Sequence, residues 1–339
     1  MTQNADHRKI MSLGKTSTVI SLPRKWLEIN GLERGSRVRV DVQRDGSLLV
    51  SPLKEGSESL KEIKLEVGAK ESGDSIIRRI VACFLDGYNR ITLVSKVFSQ
   101  EQQRAIRRIV GVLYMMVVVS ESGRVVLQSL VDDSKTSVIS CTERMRAITG
   151  SMCRDLLRAM TEGESNVAMS VVSIESDVDQ LAFLVFRLTR VASVNPFMAE
   201  AMGLDPLDCL YYQTLAQNVG KVADDIEHIA VKVSEMLDSH GKVPEDLITS
   251  AEAVFRFYDR AMDGFLLGDT SSVNEVIEHE AQVDKMIENF YRESGHTGRG
   301  LEAGNSSFIS RIVIAECLRR IASNSADIAE LTIDRAYKM

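Results

Sequence analysis

From Ser134 onward the apolar residues recur at alternating spacings of three and four, and this pattern constrains the fold more than any other feature. Val171, Ile174, Val178, Leu181, Val185 and Leu188 step in this way, as do Val219, Val222, Ile226, Ile229, Val233 and Met236. Such spacing gathers one apolar stripe on a helix, which must close on a facing stripe, as in the seam of an antiparallel helical bundle. Six helices are expected, over about 135–161, 165–193, 206–239, 244–267, 271–293 and 306–338. Pro196, Pro206 and Pro244 fall at or near starts, and Gly163, Gly241, Gly268 and Gly295 near ends.

The six helices read as two copies of three. Arg158-Ala-Met160 recurs as Arg260-Ala-Met262, Glu175-xxx-Asp179 as Glu280-xxx-Asp284, and Ile229-Ala230 as Ile328-Ala329. The offsets agree closely enough to indicate a duplicated three-helix unit, with bundles over 135–241 and 242–339. Residues four apart share a helix face, so each E-x-x-x-D pair offers two hard oxygen ligands to one side. Glu280 also interrupts the stripe Val273, Val276, Val283, Ile287 and Phe290, and a carboxylate at a seam position requires a partner.

On these markers, together with Ala223…Ile229-Ala230 and Ile321-Ala322…Asp327-Ile328-Ala329-Glu330, the region resembles the PhoU family of tandem three-helix bundles associated with phosphate signalling. The resemblance implies that Glu175, Asp179, Asp224, Glu280 and Asp284 are metal candidates. The chain departs from the family where E-R-I-x-D is usual, carrying Gly220-Lys221-Val222-Ala223-Asp224 and Arg319-Arg320-Ile321-Ala322-Ser323. Three of four expected carboxylates are therefore missing, and Lys221, Arg319 and Arg320 bring positive charge instead. Two readings follow. Either Lys221, Arg311, Arg319 and Arg320 line an oxyanion site, or the arginines pair with Glu280, Asp284 and Glu316 inside the bundle. His228 and His279 read as surface or capping residues, and the Gly295–Gly300 loop is a weak phosphate-loop signal because no strand precedes it.

The N-terminal segment has a different texture. Thr18 to Leu22 is a β-type run, Pro23 opens a short helix through Ile29, Val38 to Val42 alternates, Asp45-Gly46 makes a hairpin turn and Leu48 to Val50 returns. So small a unit cannot bury enough apolar surface alone, and interleaving with a second copy is the simplest remedy. Gly14, Thr18, Pro23, Gly31, Gly35, Val38, Asp45, Gly46 and Leu48 resemble the pattern of the AbrB/SpoVT swapped-hairpin family, which implies a homodimer that binds double-stranded DNA. Charge agrees independently: residues 1–52 hold nine Lys/Arg against five Asp/Glu, while the whole chain is −7, so the remainder is −11. Arg8, Lys9, Lys15, Arg24 and Lys25 are the expected phosphate contacts.

Between head and bundles, residues 53–134 read as a βαβαββ connector: strands over 62–67 and 91–95, helices over 74–88 and 99–114, and a hairpin of 115–119 with 124–130. Arg78, Arg79, Arg90, Arg104, Arg107 and Arg108 make this connector locally basic. No run of eighteen apolar residues suggests a membrane span, the N-terminus lacks an apolar signal core, and the five cysteines show no CxxC spacing. A cytoplasmic, multidomain α+β protein is expected, with a swapped-hairpin head over 1–52, the connector and two helical bundles. No nucleophile elbow, Walker sequence or HExxH supports an enzyme. The expected function is a DNA-binding transcriptional regulator whose PhoU-like body senses phosphate, molybdate, tungstate or a divalent metal. The alternative is an adaptor that docks on a transporter or sensor kinase without binding DNA.

Overall fold

The computed structural model describes residues 7–14, 17–42, 46–52, 61–278 and 306–338, with 283 and 285. The chain divides into two compact units, Met1–Leu60 and Lys61–Met339. Lys15, Glu280, Asp284, His279 and the 295–300 loop lie outside the described residues.

The first unit comprises β1 (Met11–Leu13), β2 (Ser17–Val19), α1 (Arg24–Ile29), β3 (Val38–Val42) and β4 (Leu48–Pro52). Two antiparallel ribbons form, β1 with β2 and β3 with β4, and Val42 faces Leu48 next to the turn that Gly46 enters at φ 81°. β1 lacks the period of a longer strand, and only its pairing across Gly14 reveals it. No side chain described up to Pro52 is buried. Ile10, Leu13, Val42 and Leu48 are 74%, 65%, 75% and 59% exposed, so the described residues of this unit form strands but no buried core.

The second unit opens with β5 (Glu62–Glu66), α2 (Gly73–Leu85), β6 (Arg90–Val94), α3 (Gln100–Val112), β7 (Met115–Ser120) and β8 (Arg124–Ser129). The sheet order is β5-β6-β8-β7, with β5 parallel to β6 and the other pairs antiparallel. Ser72 caps α2, and a reciprocal Ser99–Gln102 capping box starts α3. A Cβ on Gly73 would come within 2.8 Å of the Ala105 Cβ, so glycine lets the two helices close on each other. Ile76, Ile80, Phe84, Ile91, Leu93, Ile106 and Leu127 form the core between helices and sheet.

The bundles contain α4 (Val138–Glu162), α5 (Ser165–Val194), α6 (Pro196–Met202), α7 (Pro206–His240), α8 (Glu245–Leu267), α9 (described over 270–278) and α10 (Ser306–Ala336). The seam is as the spacing predicts: Val171, Val178, Leu181, Val185, Leu188 and all six stripe residues of α7 are buried, as are Val273, Val276 and Val283. The short α6 was not expected, although its signals are in the sequence. Asn195 caps it, Pro196 is its first residue and Gly203 ends it at φ 68°.

One buried cation ties the α/β layer to α5. Arg187 is 0% exposed. Its Nε and Nη2 donate to the two Asp133 oxygens at 2.7 and 2.8 Å, and its Nη1 donates to the Phe84 and Tyr88 carbonyls at 2.7 and 3.1 Å. The guanidinium lies 4.9 Å from the Phe84 ring centre. Bidentate geometry and satisfied donors are what make so buried an ion pair tolerable. Arg187→Ala leaves Asp133 without its partner and two carbonyls without donors, so chemical denaturation should show a loss of about 3–5 kcal/mol.

Candidate functional site: a carboxylate cluster between α5 and α7

The α5 and α7 stripes bury against each other, and the residues beside the stripes face one another at the edge of that contact. Glu175 and Asp179 lie one turn apart on α5, and Asp224 stands opposite on α7. One ligand oxygen from each lies within 4.8 Å of the other two. Glu175 and Asp179 are partly buried and Asp224 is exposed, so the cluster opens to solvent on one side.

The close approach of these groups shows in their acidities. Burial pushes the Glu175 carboxyl up to about 7, helped by the charges of Asp179, Asp224 and Glu227. Asp179 is raised by burial, then by Asp224 and Glu227. Burial also raises Asp224, while a hydrogen bond from Glu175 and the nearby His228 act the other way. Glu175 thus holds its proton more tightly than an ordinary carboxyl. Three hard oxygen donors that repel one another, with one open side, fit a hard divalent cation such as Mg²⁺ or Mn²⁺.

The sequence reading did not single out Glu227. It sits three residues beyond Asp224, so the two share a helix face, and that i,i+3 spacing was the available signal. His228 is exposed and its Nδ1 lies 2.7 Å from the Asp224 carbonyl, which keeps the imidazole beside the cluster. The second half of the expected carboxylate set, Glu280 and Asp284, falls outside the described residues.

The expected anion ligands are placed differently. Arg311 pairs with Asp246 at 2.6 Å, and Arg319 with Glu316 on its own helix at 2.5 Å. Arg320 reaches across to Asp225 on α7, its Nε donating at 2.9 Å, and lies 4.0 Å from Glu316. Lys221 is exposed on α7. Of the partners expected for these arginines, Glu316 is the one found among the described residues; Asp225 and Asp246 were not expected. In the head, Arg8, Lys9, Arg24 and Lys25 are all exposed, with Arg24 tied to Glu28 one turn on at 3.1 Å.

Comparison with known proteins agrees with both ends of this architecture. A family model described as the PhoU domain matches residues 247–332, and one described as "Antidote-toxin recognition MazE, bacterial antitoxin" matches 15–58. The chain is therefore a fusion of a MazE/AbrB-type head with a PhoU-type helical body. Among solved structures it is similar to PhoU from Pseudomonas aeruginosa, with a TM-score of 0.51 at 17% identity, over 58% of this chain and 93% of that one. It is also similar to the phosphate transport system regulatory protein PhoU from Streptococcus pneumoniae, with a TM-score of 0.49 at 13% identity, over 58% and 91%. No curated protein matches the chain significantly. No helix among the described residues is long and apolar enough to cross a membrane.

The raised acidities have a definite sign. Glu175 binds its proton more tightly folded, at about 7, than unfolded, at 4.5, so its contribution is fully present below pH 4.5 and lost as pH rises through 7. The displacement corresponds to about 3 kcal/mol in full, and to about 2 kcal/mol once solvent screening at this partly open site is allowed for. Stability measured without divalent cations should fall by that amount between pH 4.5 and 7 relative to Glu175→Gln, whose profile should be flatter.

Proposed function

We propose that the protein is a homodimeric DNA-binding regulator whose PhoU-type body reports a divalent cation, and through it phosphate or a related oxyanion. The carrying observation for the DNA end is the head, a basic unit in which every described side chain is at least partly exposed. Strands with no core gain stability only by interleaving with another chain. A second copy supplies that surface and doubles an excess of four positive charges, while the rest of each chain is −11. Lys15, Arg24 and Lys25 bracket β2 and the start of α1, where phosphate contacts would collect, with Arg8 and Lys9 just before.

For the body, the Glu175–Asp179–Asp224 cluster is a better-supported ligand site than the Arg311–Arg319–Arg320 set. The three carboxylates converge within 4.8 Å of one another and open to solvent on one side, whereas each of those arginines already faces a carboxylate. A hard cation held by a few carboxylates commonly completes its shell with water or phosphate oxygens. Such a site accounts for an oxyanion response without a dedicated arginine pocket. The PhoU domain match over residues 247–332 supports a reading in phosphate regulation. Transmission to DNA requires the cation to favour one arrangement of α5 and α7 over another.

The rival is an adaptor whose body docks on a transporter or sensor kinase, with a head that only dimerises. Salt separates the two. The regulator's affinity for duplex DNA should fall linearly in log–log form with salt, and Lys15→Ala with Arg24→Ala and Lys25→Ala should reduce the slope by about 3 while sedimentation still shows a dimer. Absence of DNA retention at low salt would favour the adaptor. Separately, Mg²⁺ or Mn²⁺ should raise the unfolding temperature at pH 7.5, and Glu175→Gln with Asp179→Asn should abolish the rise.

A further inference from the structure

The outward side of α3 carries cations that the body does not neutralise. Gln100, Gln103, Arg104 and Arg107 fall at i, i+3, i+4 and i+7, so they form one stripe, and together they line a shallow groove. All four are exposed, while Gln102, Ile106, Ile109 and Val110 turn into the core behind them. Arg78 is likewise exposed on the adjoining α2, and Arg108 is held only loosely, 3.6 Å from Asp74.

Several other arginines of this unit are matched. Arg79 pairs with Glu71, Arg90 with Glu62, Arg146 with Asp259 and Asp263, and Arg187 with Asp133. Arg78, Arg104 and Arg107 have no hydrogen-bond or ion-pair partner among the described residues, although Glu101 stands one turn before Arg104. The body as a whole is strongly acidic, so carboxylates to pair with them were available.

The chemistry of the stripe selects among polyanions. It offers guanidinium and amide donors beside the positive end of a capped helix, and no aromatic or large aliphatic side chain interrupts it. Protein interfaces are usually anchored by buried aromatic and apolar groups, whereas a nucleic-acid backbone is held by donors of this kind. We propose that the α2–α3 face, through Arg78, Arg104 and Arg107, is a second contact of this chain to the DNA backbone. It rests on the DNA-binding reading above. Because both surfaces belong to one chain, contacts weak by themselves add to the head's at high effective concentration. They also offset the repulsion between DNA and an acidic body.

The test is the salt dependence of duplex binding by the full-length protein. Replacing Arg78, Arg104 and Arg107 by Gln should lower the log–log slope by about 2–3, one phosphate per lost cation. Replacement of the same three by Lys should keep the wild-type slope, and thermal unfolding of both variants should match the parent. An unchanged slope in the Gln variant overturns the proposal. Polyglutamate retained in an arginine-dependent way, with no change in DNA slope, overturns it too, and gives the face to an acidic protein. The head is probed in parallel with Arg24→Ala and Lys25→Ala. If only the head variant loses slope, the α2–α3 contact fails while the DNA reading stands; if only the Gln variant does, the head's assignment fails and this one stands. Absence of duplex binding by the parent protein overturns both.

Discussion

A guanidinium taken entirely out of water holds the second unit together. Burial of the Arg187 charge is tolerable because Asp133 grips two of its nitrogens and two carbonyls occupy a third. Those partners come from the end of α2, the turn after it and the segment leading into α4. The α/β layer is thereby pinned to α5 at one orientation. Around the pin, Gln180 donates to the Gly111 carbonyl, and a Cβ on Gly87 would approach Val191 to 2.9 Å. Phe186 and Val131 pack against both hydrophobic cores, so layer and bundle share a boundary rather than a hinge.

The same helix carries the carboxylates. Glu175 and Asp179 lie about three and two turns before Arg187, roughly 18 and 12 Å along a rigid rod. Asp224 faces them from α7, and α7 is in turn bound to α10 by Arg320–Asp225, while Lys338 just past the end of α10 pairs with Asp205 and Asp208 at the start of α7. A cation that draws the three carboxylates together therefore acts on helices already coupled to the α/β layer at one end and to the second bundle along the other. Mutual repulsion among the acids is the stored bias, and neutralising it is the one change at this site that both helices would feel.

Much of this was legible in residue order. The three-four spacing gave the seam because burial on a helix depends on period alone, and glycines at 163, 241 and 268 ended helices where a left-handed residue was needed. The carboxylate cluster was half legible: i,i+4 spacing placed Glu175 with Asp179, and the family resemblance added Asp224. Glu227 escaped because an acid beside a seam looks like any solvated helix face until the facing helix is in place. Arg187 escaped for a stronger reason. In sequence it is a charged residue among apolar ones on α5, and its partners are 54 and about 100 residues away. α6 shows the opposite failure, since its cap, proline and glycine were all present but seven residues carry too little periodicity to stand out.

The proposed link between the two ends of the chain is electrostatic: an acidic cluster read as a cation site in the body, and a basic head read as a polyanion site. The central claim is that the first controls the second. It is tested most directly by measuring duplex affinity of the full-length protein with and without Mn²⁺ at constant ionic strength, beside the Glu175→Gln, Asp179→Asn variant. The account predicts a change in affinity on adding Mn²⁺ that the variant lacks. The same change in both proteins, or none in either, would contradict it.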